Sequence, residues 1–194
     1  MLIPWLDKVK YIALCEGDDY WTDPQKLQKQ VDFMESYEES FMSFHSVMEH
    51  WQDNSAPDKI FFPVEDRVYS GGEIFKQWVV ATASVMMRTE VLKQQRLIDI
   101  FQNKGLMYYD QALFMYCATE GKIMGMSDVM GVYRRLNSGY SLQLEKDLTR
   151  SYQIINRYCT HSKTMAEIFG GNLDPDFIDV TEKRFISPQQ MVVC

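Results

Sequence analysis

Between Lys10 and Gln30 the chain reads KYIALCEGDDYWTDPQKLQKQ, with four carboxylates, Glu16, Asp18, Asp19 and Asp23, inside eight positions. Carboxylate oxygens at this density suit a hard divalent cation, because Mg²⁺ typically takes one or two of them and completes its shell with phosphate oxygens and water. The same residues also have plainer uses, since aspartate is favoured in turns and at helix starts. Asp23, followed by Pro24, reads as an N-cap with proline at the first helical position. Glu16, Asp18 and Asp19 remain as the candidate site. A further carboxylate, Asp110 in YYDQALF, is either a proton acceptor or favourable charge in the first turn of a helix. Arg134 and Arg135 are candidates to meet phosphate, or a solvated pair at a strand end. His45 reads as a buried, hydrogen-bonded histidine, and His50 and His161 as surface residues. Ser43, Ser46 and Ser84 have no base partner at a diagnostic spacing, so no hydrolase triad is expected.

The elements that must position these groups can be read from periodicity. Val9 to Cys15 is nearly continuous in apolar character and predicts a strand covered on both faces. A turn follows, then a helix from Asp23 whose Leu27, Val31, Met34 and Tyr37 fall on one face while Lys26, Lys29 and Asp32 face water. Phe41–Met48 predicts a second strand, and Trp51–Pro63 a loop. SGGE at Ser70–Glu73 has capping-box spacing and opens a helix to about Trp78. Ala83–Arg88 predicts a strand, Thr89 to about Asn103 a helix, and Tyr109–Glu120 a helix stopped by Gly121. Short strands are expected near Ile123–Met126 and Val129–Arg134. From Leu142 the pattern turns helical, with Leu144, Leu148, Ile155 and Tyr158 as an apolar stripe and FGGN as a helix stop. DPDFI at Asp174–Ile178 looks like another helix start.

The totals narrow the function. At 194 residues, 46% hydrophobic and 24% charged, the chain is a globular domain with room for a helical extension. A net charge of −7 argues against nucleic acid as a partner, because phosphate binding needs clustered Lys and Arg. Cys15, Cys117, Cys159 and Cys194 are scattered and form no C-x-x-C pair, so neither a metal knuckle nor a disulfide framework is expected, and a reducing cytoplasm is the simplest setting. No apolar run approaches the ~18–20 residues of a membrane span.

KYIALCEGDDYWTDPQKLQKQVDFME strongly resembles the acidic-motif segment of family-2 glycosyltransferases, bacterial enzymes that move a sugar from a nucleotide-diphosphate donor. Strand, acidic triplet, aromatic pair, D-P and K-L-x-x-Q helix are present in order and at the family spacing. The resemblance continues more loosely to about Ser141. FHSV resembles the next strand, ATASVMMR the acceptor-side segment, YYDQALF the place of the catalytic base, and VMGVYRRLNSGYS the closing strand and loop. It implies an α/β fold: a partial GT-A-like mixed sheet flanked by helices over residues 1–141, with a C-terminal helical extension over 142–194. Carried onto this sequence, Asp19 is the metal ligand and Asp18 contacts the metal or the donor ribose. Glu16 supports the turn on the donor side, Arg134 meets the donor phosphates, and Asp110 is the base of an inverting displacement. Mg²⁺ or Mn²⁺ would be the cofactor, a nucleotide-diphospho-sugar the donor, and a glycan or lipid-linked molecule the acceptor. Polysaccharide biosynthesis in the cytoplasm, at the inner face of the membrane, is the implied setting.

Two departures qualify the match. Only nine residues precede Lys10, where the family carries about half of a nucleotide-binding fold, and Leu136 stands where many relatives have a histidine. The alternative expectation is therefore a truncated, non-catalytic relative acting as an interaction or acceptor-binding module, and forming a homodimer through exposed sheet edges.

Overall fold

The computed structural model describes residues 6–136 and 148–170. It is a mixed α/β structure. The strands are β1 (Tyr11–Ala13), β2 (Tyr20–Trp21), β3 (Ser40–Trp51), β4 (Lys59–Ile60), β5 (Val68–Tyr69), β6 (Met86–Arg88) and β7 (Lys122–Arg135). The helices are α1 (Lys26–Ser36), α2 (Gly71–Lys76), α3 (Thr89–Leu92), α4 (Gln95–Phe101), α5 (Tyr109–Glu120) and α6 (Leu148–Phe169), with a 3₁₀ turn at Thr82–Ser84.

The seven strands form one sheet of order β1-β6-β3-β7-β2, with β4 on β3 and β5 on β7. Its spine is the parallel pair β3 and β7, whose register runs from Ser40↔Lys122 to Trp51↔Arg135. All other pairings are antiparallel. β3 is buried along most of its length, as a strand covered on both faces must be. Parallel neighbours need a crossover, and α5 supplies it, stopping at Gly121 as the sequence predicts. Its twelve residues rise about 18 Å, under half the ~40 Å spanned by a twelve-residue strand, so its first turn, bearing Asp110, reaches about midway along β3 and β7.

Several elements depart from expectation. β3 extends to Trp51, and β4 sits inside the expected loop. The Ala83–Arg88 strand is shortened by the 3₁₀ turn, and the Thr89–Asn103 helix breaks at Lys93–Gln94. The two late strands are one, β7, whose register shifts where Met126 and Val129 oppose His45 and Ser46. α2 carries the full capping box: Ser70 accepts from the Glu73 amide and Glu73 accepts from the Ser70 amide.

Helix α1 is rotated relative to its apolar pattern. Lys26, Gln30 and Met34 are its buried stripe, whereas Leu27 is 44% exposed and Tyr37 42%. The reason lies on the facing sheet, which offers polar partners. Gln30 Nε2 donates to Ser84 O at 2.9 Å and Ser43 Oγ at 3.3 Å, and Lys26 Nζ donates to Gln30 Oε1 at 2.6 Å over the Trp21 ring. The helix begins at Lys26 with Gln25 at the cap position, while Asp23 accepts the Gln25 amide at 2.7 Å.

On the opposite face of the sheet, Met42, Phe44, Phe75, Phe114, Met165 and Phe169 belong to one core, so α6 shares the core of the sheet domain. His161 on α6 is fully buried, not a surface residue. Its Nδ1 accepts the Met107 amide at 3.2 Å, which places the proton on Nε2, facing Gln111 Oε1 at 2.8 Å. Cys159 is disulfide-bonded, a pairing the scattered cysteines did not predict. The expected boundary between 141 and 142, Leu144 and the DPDFI segment lie outside the described residues.

Candidate functional site

β1 and β2 occupy opposite edges of the sheet, so the segment between them must cross its end. That crossing carries the acidic residues. Leu14 still pairs with the sheet, its amide donating to Val85 O at 3.0 Å. A tight turn follows, closed by the Asp19 amide on Glu16 O at 3.1 Å. Tyr20 and Trp21 then pair with Val132 and Gly131 of β7. The crossing is anchored by Trp21 Nε1, which donates to Ala83 O at 2.8 Å in the 3₁₀ turn.

Arg134 holds the turn from β7. Its amide donates to Asp19 Oδ1 at 2.9 Å, and its guanidinium Nε to the Asp18 carbonyl at 2.6 Å. The second Asp19 oxygen, Oδ2, is buried and has no hydrogen-bond partner, and Asp19 as a whole is 8% exposed. An orphaned buried carboxylate oxygen is costly, and burial pushes the Asp19 carboxyl upward against the pull of the Arg134 amide. Glu16 is also pushed upward, first by partial burial and then by the charges of Asp19, Asp110 and Asp18.

Asp110, on the first turn of α5, lies near enough for its charge to act on Glu16. Its Oδ1 accepts the Gln111 amide at 2.8 Å and its Oδ2 the Thr82 hydroxyl at 3.4 Å. Burial raises its proton affinity. The 3₁₀ turn thus ties both sides together, Ala83 holding Trp21 and Thr82 touching Asp110. Among the described residues, none of Glu16, Asp18, Asp19 and Asp110 is in an ion pair.

The donor set is suited to a cation of limited protein coordination. No group of three His, Cys, Asp or Glu side chains among the described residues converges to hold a metal, but Mg²⁺ needs only one or two carboxylates when phosphate and water complete its shell. Asp19 Oδ2, buried and without a partner, is a carboxylate oxygen of the chemistry such a cation takes. Arg134 points into the turn that it organises, and Arg135 is spent on Glu49, Nε to Oε1 at 2.6 Å. His45 is 1% exposed, its Nδ1 donating to Ser46 O at 2.8 Å, as the sequence predicts. Burial lowers it to about 4, so it is neutral near pH 7.

Thr82, set between Ala81 and Ala83, carries no local signature of its own. Lys26, expected in water, is 1% exposed and lowered to about 8 by burial. Its signal was the i, i+4 pairing with Gln30, which hydropathy overrode.

No family model matches the chain. It is 38% identical over 127 residues to the uncharacterized proteins Rv1520 of Mycobacterium tuberculosis and Mb1547 of Mycobacterium bovis. The match covers 65% of this chain and 35% of each relative, so the aligned part is about a third of their length. Among solved structures, S. aureus TarS 1-349 superposes with a TM-score of 0.47 at 14% identity, covering 92% of this chain and 59% of that one. No helix among the described residues is long and apolar enough to cross a membrane.

Proposed function

We propose that the chain carries the cation-gripping turn and the proton-accepting carboxylate of a metal-dependent, inverting family-2 sugar transferase. Its substrates would be a nucleotide-diphospho-sugar and a glycan or lipid-linked acceptor. The observation that supports this best is that the acidic turn is tied to Arg134 near the carboxyl end of β7, where α/β folds bind ligands, with Asp110 near enough for its charge to act on Glu16 and none of the four carboxylates in an ion pair among the described residues. One of them keeps a buried oxygen without a partner.

In this reading Asp19, with Asp18 beside it, would hold Mg²⁺ or Mn²⁺, which when bound neutralises charge developing on the leaving diphosphate. Arg134 keeps the turn in shape through the Asp18 carbonyl and the Asp19 carboxylate. Asp110 takes the proton from the attacking hydroxyl. Its raised proton affinity suits that task, because a base works best when its pKa approaches the working pH. Attack opposite the departing nucleotide inverts the anomeric centre.

Calorimetric titration of the full chain with UDP, with and without Mn²⁺, tests the reading. Saturable heat for UDP that depends on Mn²⁺ is expected. Absence of heat in both titrations would overturn it and favour the interaction-module alternative, which sedimentation would register as self-association.

A further inference from the structure

We infer that Lys26 is a positioning residue for the 3₁₀ turn at Thr82–Ser84: from the buried side of α1 it fixes Trp21 and Gln30, the two side chains that grip that turn where it meets Asp110. This deepens the proposed transferase reading and, for its effect on turnover, rests on it.

Local rules put this lysine in water. It opens α1, where the helix dipole disfavours a cation, and its long stem could carry the ammonium outward. Instead it is 1% exposed, and burying a charge without a counter-charge is costly. Among the described residues it joins no ion pair. Burial lowers it to about 8, so it stays charged near pH 7. An apolar side chain of similar length would fill the space at less cost, so what the ammonium adds lies in its contacts.

Nζ donates to Gln30 Oε1 at 2.6 Å and lies 4.3 Å from the centre of the Trp21 ring. The first contact sets the Gln30 amide. With Oε1 taken by a donor, Nε2 faces the sheet and donates to Ser84 O at 2.9 Å and Ser43 Oγ at 3.3 Å. The second contact holds the indole through its π face, and Nε1 of that ring donates to Ala83 O at 2.8 Å. Ala83 and Ser84 are consecutive, so one ammonium sets the donors to two successive carbonyls of the turn. Thr82 opens the same turn and meets Asp110 Oδ2 through its hydroxyl at 3.4 Å. The acidic turn is held separately, by Arg134 and the Glu16 carbonyl, so Lys26 acts on the Asp110 side.

Hydrogen exchange on the full chain, read by ¹⁵N NMR with the Trp21 indole N–H assigned from Trp21→Phe, tests this. In Lys26→Met the indole should exchange about tenfold faster, a local loosening, while the β3 and β7 amides and the melting temperature hold or gain. Turnover on the UDP-sugar that the parent uses should fall about tenfold, with Mn²⁺-dependent UDP affinity unchanged. Indole exchange equal to the parent's would overturn the positioning role. So would faster exchange of the indole, β3 and β7 alike with a lower melting temperature, which marks a residue that serves the fold alone. If the variant does not fold, the parent decides: cross-peaks from the Lys26 side chain to the Trp21 ring and a slowly exchanging indole N–H are expected, and their absence would overturn it. Faster indole exchange in the variant of a chain that shows no UDP heat would instead overturn the transferase reading and leave the positioning of the turn standing.

Discussion

On the β1–β2 side of the cleft three carboxylates share one short turn, whereas on the α5 side a single carboxylate, Asp110, stands beside apolar walls. The turn is held mostly by backbone groups: the Glu16 carbonyl, the Asp18 carbonyl, and the amide of Arg134. Asp110 is held by its own helix and by one long side-chain contact from Thr82. Backbone anchoring suits a group that must stay fixed while its charge is neutralised by a ligand. Lighter anchoring, with burial raising proton affinity, suits one that must gain and lose a proton. In the proposed reading, the difference between the two sides would be one between a grip and a base.

The sharpest way to break that contrast is Asp110→Asn. Turnover on whichever member of a UDP-sugar panel the parent uses should fall about 1,000-fold, within the range for losing a general base, while Mn²⁺-dependent UDP binding persists. The same variant should melt higher than the parent at pH 7. A carboxyl whose folded pKa is raised favours folding only when protonated. Its contribution is therefore complete below the ordinary value of ~3.9, and it is lost as pH climbs through the raised one. The gap between variant and parent should close on acidification, as followed by calorimetric melting at several pH values.

Asp19→Asn attacks the grip. UDP affinity in the presence of Mn²⁺ should drop about 100-fold, roughly 2.7 kcal/mol, without a loss of thermal stability, because the change removes a buried charge that folding disfavours. Reduced stability with unchanged affinity would make Asp19 a structural turn residue only. Arg134→Ala leaves the amide to Asp19 in place and removes only the guanidinium. A weakening of about tenfold in the same titration is expected. The smallest effect belongs to Thr82→Val, which deletes the 3.4 Å contact and should lower turnover about threefold while leaving UDP binding untouched.

Much of the fold was legible where local rules act alone. The capping box of Ser70 and Glu73 and the α5 helix ended by Gly121 follow from short-range spacing, whereas the expected Val9–Cys15 strand covered on both faces is only the half-buried edge strand Tyr11–Ala13, because burial depends on neighbours the segment does not encode. The pattern failed where partners come from afar. Lys26 reads as a solvated lysine until the sheet places Trp21 and Gln30 against it, and His161 reads as a surface histidine until α6 lies along α5. The site followed the same division. Residue type and motif single out the candidates Glu16, Asp18, Asp19 and Asp110, but Thr82, whose hydroxyl meets Asp110, carries no signal within its own segment.

Composition and spacing by themselves determined an acidic α/β chain with carboxylates at a strand end and a further one opening a helix. Only the tertiary structure decided that Asp110 comes near enough for its charge to act on Glu16, that Arg134 from 115 positions away shapes the turn, and that one Asp19 oxygen is left without a partner. The reason is physical. Local sequence governs torsions and hydrogen bonds a few residues apart, whereas burial, and with it the cost of an unmatched charge, depends on elements that meet only when the sheet is assembled.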